Sequence, residues 1–150
     1  WTQAAKQLDT ALQLQKSVPE FNLAMGECKI RLGETREAIN YFSNVVRMRP
    51  KNTNGWEALI RCLYMGEIYG EALEQAEAAL KHTDGRPLFI YYKSAILLAM
   101  GKTKDALLFL ERAMQKAPKL LKEFVALHPS VLQNQLVVDV IARNRKTGRV

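Results

Sequence analysis

Four alanines, Ala4, Ala38, Ala72 and Ala106, stand 34 residues apart in this chain. An acidic residue precedes three of them, at Glu37, Glu71 and Asp105. Seven residues after each alanine come Ala11, Val45, Ala79 and Ala113, with Leu8, Phe42, Ala76 and Leu110 between. Pro50, Asp84 and Pro118 recur at the same interval and close successive copies. In-phase columns over such a period mark a repeat array. Each copy is a unit that cannot bury its own apolar face and needs a similar neighbour to do so.

Each copy reads as two helices. Phe21, Met25, Cys28 and Leu32 fall on one stripe at three- and four-residue steps, and Gly33 ends the segment, since glycine readily takes φ > 0 after a helix. Thr35 is the expected cap of the next helix. Glu37 lies in its first turn, where the helix dipole favours an anion. Ala38, Phe42, Val45 and Val46 form its expected buried stripe, and Pro50 stops the pattern. Small residues let helix axes approach, so Gly26 is expected against Ala38 and Ser94 against Ala106, with a looser Ile60–Ala72 pair. In the second copy Gly66 comes one residue early and Glu67 takes the glycine place, which predicts a different inter-helix turn. No run alternates polar and apolar residues long enough to suggest a strand.

The period of 34, the Trp56 and Leu59 pair, the set Gly26, Gly33, Ala38, Phe42, Pro50 and the set Gly101, Ala106, Ala113, Pro118 resemble the tetratricopeptide repeat family over about residues 1–120. Asn22 and Ile90 stand where that family has an aromatic, and Lys29 replaces a usual Tyr. The resemblance implies an all-α superhelix of antiparallel helix pairs. It divides the chain into copies at 19–52, 53–86 and 87–120, with 1–18 as the second helix of an earlier copy. A chain opening on Trp1 in mid-copy is then expected to be the C-terminal part of a longer array. Residues 121–150 read as terminal capping helices and a basic tail. There Ser130 is the expected cap of a last helix with Leu132, Leu136, Val137, Val140 and Ile141 on its apolar stripe. A solenoid needs such an element over its last open face.

The same resemblance implies that first helices line a concave groove that takes a peptide or partner segment. The residues carried into that groove are Glu20, Leu23, Glu27, Arg31, Asn54, Glu57, Arg61, Tyr64, Tyr91, Tyr92 and Leu98. Tyr and Arg are favoured interface anchors, offering large area and a polar handle, although the tyrosines also suit plain packing. Some family members clamp a C-terminal carboxylate with Lys, Asn and Arg. The matching places here, Leu23, Glu27, Ala58, Leu88 and Tyr92, hold none of these. Glu20, Glu27 and Glu57 suggest a ligand with some basic character.

Composition narrows the alternatives. The formal charge is +7, but residues 143–149 alone hold four bases and no acid. A basic chain invites nucleic acid, and pentatricopeptide-type repeats bind RNA, but those run at 35 residues and the charge here sits in the tail. The reading is therefore a non-enzymatic protein-interaction scaffold, with an RNA-binding repeat or a purely structural, oligomerising segment as alternatives. Self-association would use the open N-terminal face or the C-terminal helix. Cys28 and Cys62 share a column and read as reduced, small core residues. His82 and His128 have no partner at ligand spacing, so no catalytic, metal or cofactor site is expected. Apolar runs are too short for a membrane span, no leader is visible, and the compartment is open, with the cytoplasm favoured.

Overall fold

Every helix boundary between residues 19 and 116 recurs after 34 residues. First helices run Pro19–Arg31 (α1), Thr53–Met65 (α3) and Pro87–Ala99 (α5), and second helices Thr35–Met48 (α2), Tyr69–His82 (α4) and Thr103–Lys116 (α6). A 3-10 turn at Pro118–Leu120 then leads to α7, Leu121–Leu127, and another at Pro129–Gln133 to α8, Gln135–Thr147. This computed structural model describes residues 18–147 together with Gln7 and Thr10. The helix expected within residues 1–18 therefore falls almost wholly outside the described residues, as does the end of the basic tail. No strand occurs among the described residues. The chain divides within α3 into two units, one ending at Cys62 and the other starting at Leu63.

The reversal from first to second helix uses one hydrogen-bond pattern three times. Gly33 N–H donates to Ile30 O at 3.0 Å and Glu34 N–H to Lys29 O at 2.8 Å. Gly101 and Lys102 repeat this on Leu98 O (3.0 Å) and Leu97 O (2.9 Å). Such a paired closure ends a helix on a left-handed residue, and Gly33 (φ 78°) and Gly101 (φ 80°) provide it. Glu67 makes the same turn at φ 60°, with its N–H on Tyr64 O (3.0 Å) and Ile68 N–H on Leu63 O (2.9 Å). The different turn expected from the early Gly66 is not formed; a glutamate is held left-handed instead. The second copy departs at its end. There α4 runs out through Asp84 (φ 54°) and Gly85 (φ 73°), whereas α2 and α6 end on Arg49 (φ −135°, ψ 72°) and Ala117 (φ −149°, ψ 73°), both at negative φ.

In the first unit α1 and α2 pair antiparallel: Lys29 meets Glu37, Gly26 meets Phe42, and Asn22 meets Asn44. A Cβ on Gly26 would lie 2.4 Å from Phe42 Cε1, so the ring, rather than the expected Ala38, fills the space beside this glycine. Ala38, Phe42, Val45 and Val46 are buried, as their spacing predicted. The stripe expected on α1 is corrected. Its buried residues are Asn22 and Gly26, one position round the helix from Phe21 and Met25. Cys28 is exposed and Leu32 is 63% exposed. The face towards α2 is set by Gly26, where the helices can approach, and not by the apolar residues beside it. Cys62, in the same column as Cys28, is buried with its Sγ 4.0 Å from Thr35 O; neither cysteine is in a disulfide. Helix starts also differ from expectation. Thr35 is the first residue of α2 and makes no side-chain cap, whereas Asn52 Oδ1 accepts from Asn54 N–H at 2.8 Å and caps α3.

In the second unit α5 is buried nearly all round, with nine residues from Leu88 to Leu97 out of solvent. A helix apolar on every side needs cover on every side. α4 and α6 flank it, and α7 packs on α5 while α8 packs on α6. Ser94 Oγ donates to Ala106 O at 2.7 Å, which places the small pair together as expected. α8 begins five residues beyond the expected cap, because Pro129–Gln133 coils as a 3-10 turn. Asn134 Oδ1 accepts from Leu136 N–H at 3.0 Å and takes the capping role in place of Ser130. Val137, Val140 and Ile141 are buried, while Leu132 and Leu136 are exposed.

Candidate partner-binding surface

In the first unit the residues assigned to the groove are largely open. Glu20, Glu27, Arg31, Asn54 and Arg61 are exposed, and Leu23 and Glu57 are half-buried. Glu20 pairs with Arg49 at 2.9 Å, and Arg61 lies 3.8 Å from Glu57, one turn earlier on α3. Exposed pairs of this kind are worth roughly 0–1 kcal/mol, so a partner's charges can replace them at little cost. Glu27 and Arg31 make no ion pair among the described residues. A firmer cluster lies beside them, with Lys29 Nζ between Glu34 (2.8 Å) and Glu37 (2.9 Å). The hydrogen bond that Lys29 donates to Glu34, then that to Glu37, holds its ammonium above its ordinary range. Lys29 in turn draws Glu37 below the usual carboxylate range. Asn22, wholly buried, accepts from Asn44 Nδ2 at 3.1 Å and donates to Val18 O at 3.0 Å. It occupies the family's aromatic place and joins α1 to α2 by a polar link that its sequence position does not suggest.

In the second unit the expected anchors are packing residues, and their assignment as open groove side chains is corrected. Tyr64 is 4% exposed, and Tyr91 and Tyr92 are 0% exposed. The Tyr64 hydroxyl is hydrogen-bonded to His128 Nδ1, and its ring meets those of Tyr69 and His128 edge-on at 5.5 and 5.6 Å. Tyr91 donates to Ala117 O at 2.8 Å and lies 6.1 Å from the Phe124 ring. Tyr92 packs edge-on against Phe89 at 6.1 Å. Leu98 is half-buried. The cover over Tyr64 and Tyr91 comes from Ala117, α7 and the turn at His128, all distant in sequence. Burial raises the Tyr64 hydroxyl well above its ordinary range and pushes the Tyr91 hydroxyl up to about 12. Nothing in the sequence spacing of His128 points to Tyr64.

Among the described residues no group of three or more His, Cys, Asp or Glu side chains is placed to hold a metal ion. No described helix is long and apolar enough to cross a membrane. Residues 23–88 match the tetratricopeptide repeat family. That stretch is similar to tetratricopeptide repeats. Its fold is also similar to that in the crystal structure of MamA, with a TM-score of 0.67 over 94% of this chain and 84% of that one. At 13% sequence identity that likeness is one of fold. A search of curated proteins returned no match. The architecture is thus an all-α helical-repeat solenoid. Repeats of this family generally serve as protein–protein interaction modules, and their fold is typically a non-catalytic scaffold.

Proposed function

We propose that this chain is a non-catalytic scaffold that binds a protein segment of mixed charge, with basic residues, on the first helices of residues 19–62. The observation that carries this reading is the contrast between the two units. Glu27, Arg31, Asn54 and Arg61 remain exposed, while Tyr64, Tyr91 and Tyr92 of the second unit are taken up by packing. Charged groups at such a surface steer association and set specificity more than they set affinity. Glu20, Glu27 and Glu57 would meet the partner's bases, and Arg31 and Arg61 its carboxylates.

The test compares the chain with a Glu27→Lys/Arg61→Glu variant as baits in a nuclease-treated extract of the source cells. Both side chains are exposed, so circular dichroism should show the fold retained. A protein held by the first bait and lost from the second supports the reading. The same proteins on both, with the variant folded, would remove the assignment of partner binding to this face.

A further inference from the structure

The positive charge of the chain is concentrated near its C-terminal end. Residues 116–150 hold seven bases (Lys116, Lys119, Lys122, Arg143, Arg145, Lys146, Arg149) against two acids, Glu123 and Asp139, so five of the formal +7 lie there. Arg143 is engaged by Glu111 at 3.3 Å. Lys119, Lys122 and Arg145 are exposed and make no ion pair among the described residues. They line one groove of about 590 Å³, and its apolar wall is Leu121, Val125 and Ala126. Among the described residues no acidic side chain lines it. Lys122, Val125 and Ala126 come from α7, and Arg145 reaches it from the last turns of α8.

Three unneutralised cations around one depression repel one another and set up a positive potential that an anionic partner relieves. The apolar wall adds a second requirement, since it gains only from a ligand that brings apolar surface out of the water with it. Single-stranded nucleic acid would satisfy the cations, but it is held by aromatic side chains on which bases stack, and among the described residues no aromatic side chain lines the groove. A polypeptide with carboxylates on either side of an aliphatic residue satisfies both requirements. We propose that this groove is a docking site for an acidic segment of a partner protein, one apolar side chain seated on Val125 and Ala126 and its carboxylates on Lys119, Lys122 and Arg145. It uses none of the residues assigned to partner binding on α1 and α3.

The test uses the full chain and a fluorescein-labelled peptide of repeated Asp-Leu-Glu units, read by fluorescence anisotropy. The competitors are the same peptide with Ser for Leu, an oligouridylate, and phosphatidylcholine vesicles containing phosphatidylserine. The Asp-Leu-Glu peptide should bind, and more weakly as salt is raised. Lys119→Glu/Lys122→Glu should weaken it about tenfold or more, because two partly exposed attractions become repulsions. Arg145→Glu, on a different helix, should weaken it in the same direction and serves as the deciding variant if the double reversal disturbs the fold. The Ser peptide should bind several-fold less tightly. Absence of binding, or equal binding by the folded reversal variants, would overturn the site. Equal binding of the Ser peptide would overturn the role of the apolar wall. Tighter binding of the oligouridylate or the vesicles, lost in the same variants, would overturn the proposal by giving the groove to nucleic acid or lipid.

Discussion

Replacing Glu67 by glycine should stabilise the protein, although it removes a side chain and adds a flexible residue. Glu67 has φ 60°, in a turn whose equivalents in the other two copies are Gly33 and Gly101. The left-handed conformation costs a non-glycine residue about 1–2 kcal/mol, because Cβ crowds the following carbonyl oxygen. Glycine removes that cost and makes the unfolded chain more flexible, which takes back about 0.4–1 kcal/mol. The Glu67 carboxylate is exposed and makes no ion pair among the described residues, so little else changes. The net gain is about 0.5–1 kcal/mol, or roughly 1–4 °C in melting temperature for a chain of this size. Glu67→Ala is the control: it keeps Cβ and the strain, and should melt with the parent. The reciprocal Gly33→Ala should lose about 1 kcal/mol, since nothing within 4 Å of its Cβ position would clash and only φ 78° opposes it. Thermal and urea unfolding of the three variants decide the matter. If Glu67→Gly melts with or below Glu67→Ala, the turn stores no strain and the reasoning fails.

Two further predictions follow from packing and burial. Gly26→Ala should destabilise by about 1 kcal/mol, because overpacking costs about 1–3 kcal/mol against a helix-propensity gain of about 1; in a Phe42→Leu background, where the ring 2.4 Å from the new Cβ is gone, the same change should become neutral or stabilising in urea unfolding. Tyr91 titrates at about 12 folded against 10.0 for an ordinary tyrosine. Its neutral form is favoured by folding, so its stabilising contribution is complete below about pH 10 and is lost as pH rises through 12. The urea midpoint should therefore fall across that window, less so in Tyr91→Phe, and an equal fall in both proteins would assign the alkaline loss elsewhere.

The repeat was legible because its signal is local and recurs. Gly33, Ala38, Phe42 and Pro50 announce a helix, a tight reversal and a second helix within one copy, and the 34-residue spacing repeats the announcement. The stripe on α1 misled because Phe21, Met25, Cys28 and Leu32 are spaced like a core. The face that meets α2 is chosen instead by Gly26, where absence of a side chain lets the Phe42 ring in. Glu67 could be seen to sit at a glycine's place, but not that the turn would hold its geometry and make the glutamate conform.

The candidate surface divided along the same line. Exposure of Glu27, Arg31 and Arg61 follows from their charge and their place on the polar side of their helices, both readable along the chain. The fate of Tyr64 and Tyr91 was not readable, because their neighbours His128, Ala117 and Phe124 lie 64, 26 and 33 residues further on. The grouping of Lys119 and Lys122 with Arg145 likewise exists only once α8 has folded back. The sequence by itself determined the helix pairs, their period and the reversals at Gly33 and Gly101, since these depend on contacts a few residues apart. Only the tertiary structure decided which aromatic groups are core and which charges share a groove, since both depend on which distant segment comes to cover a face.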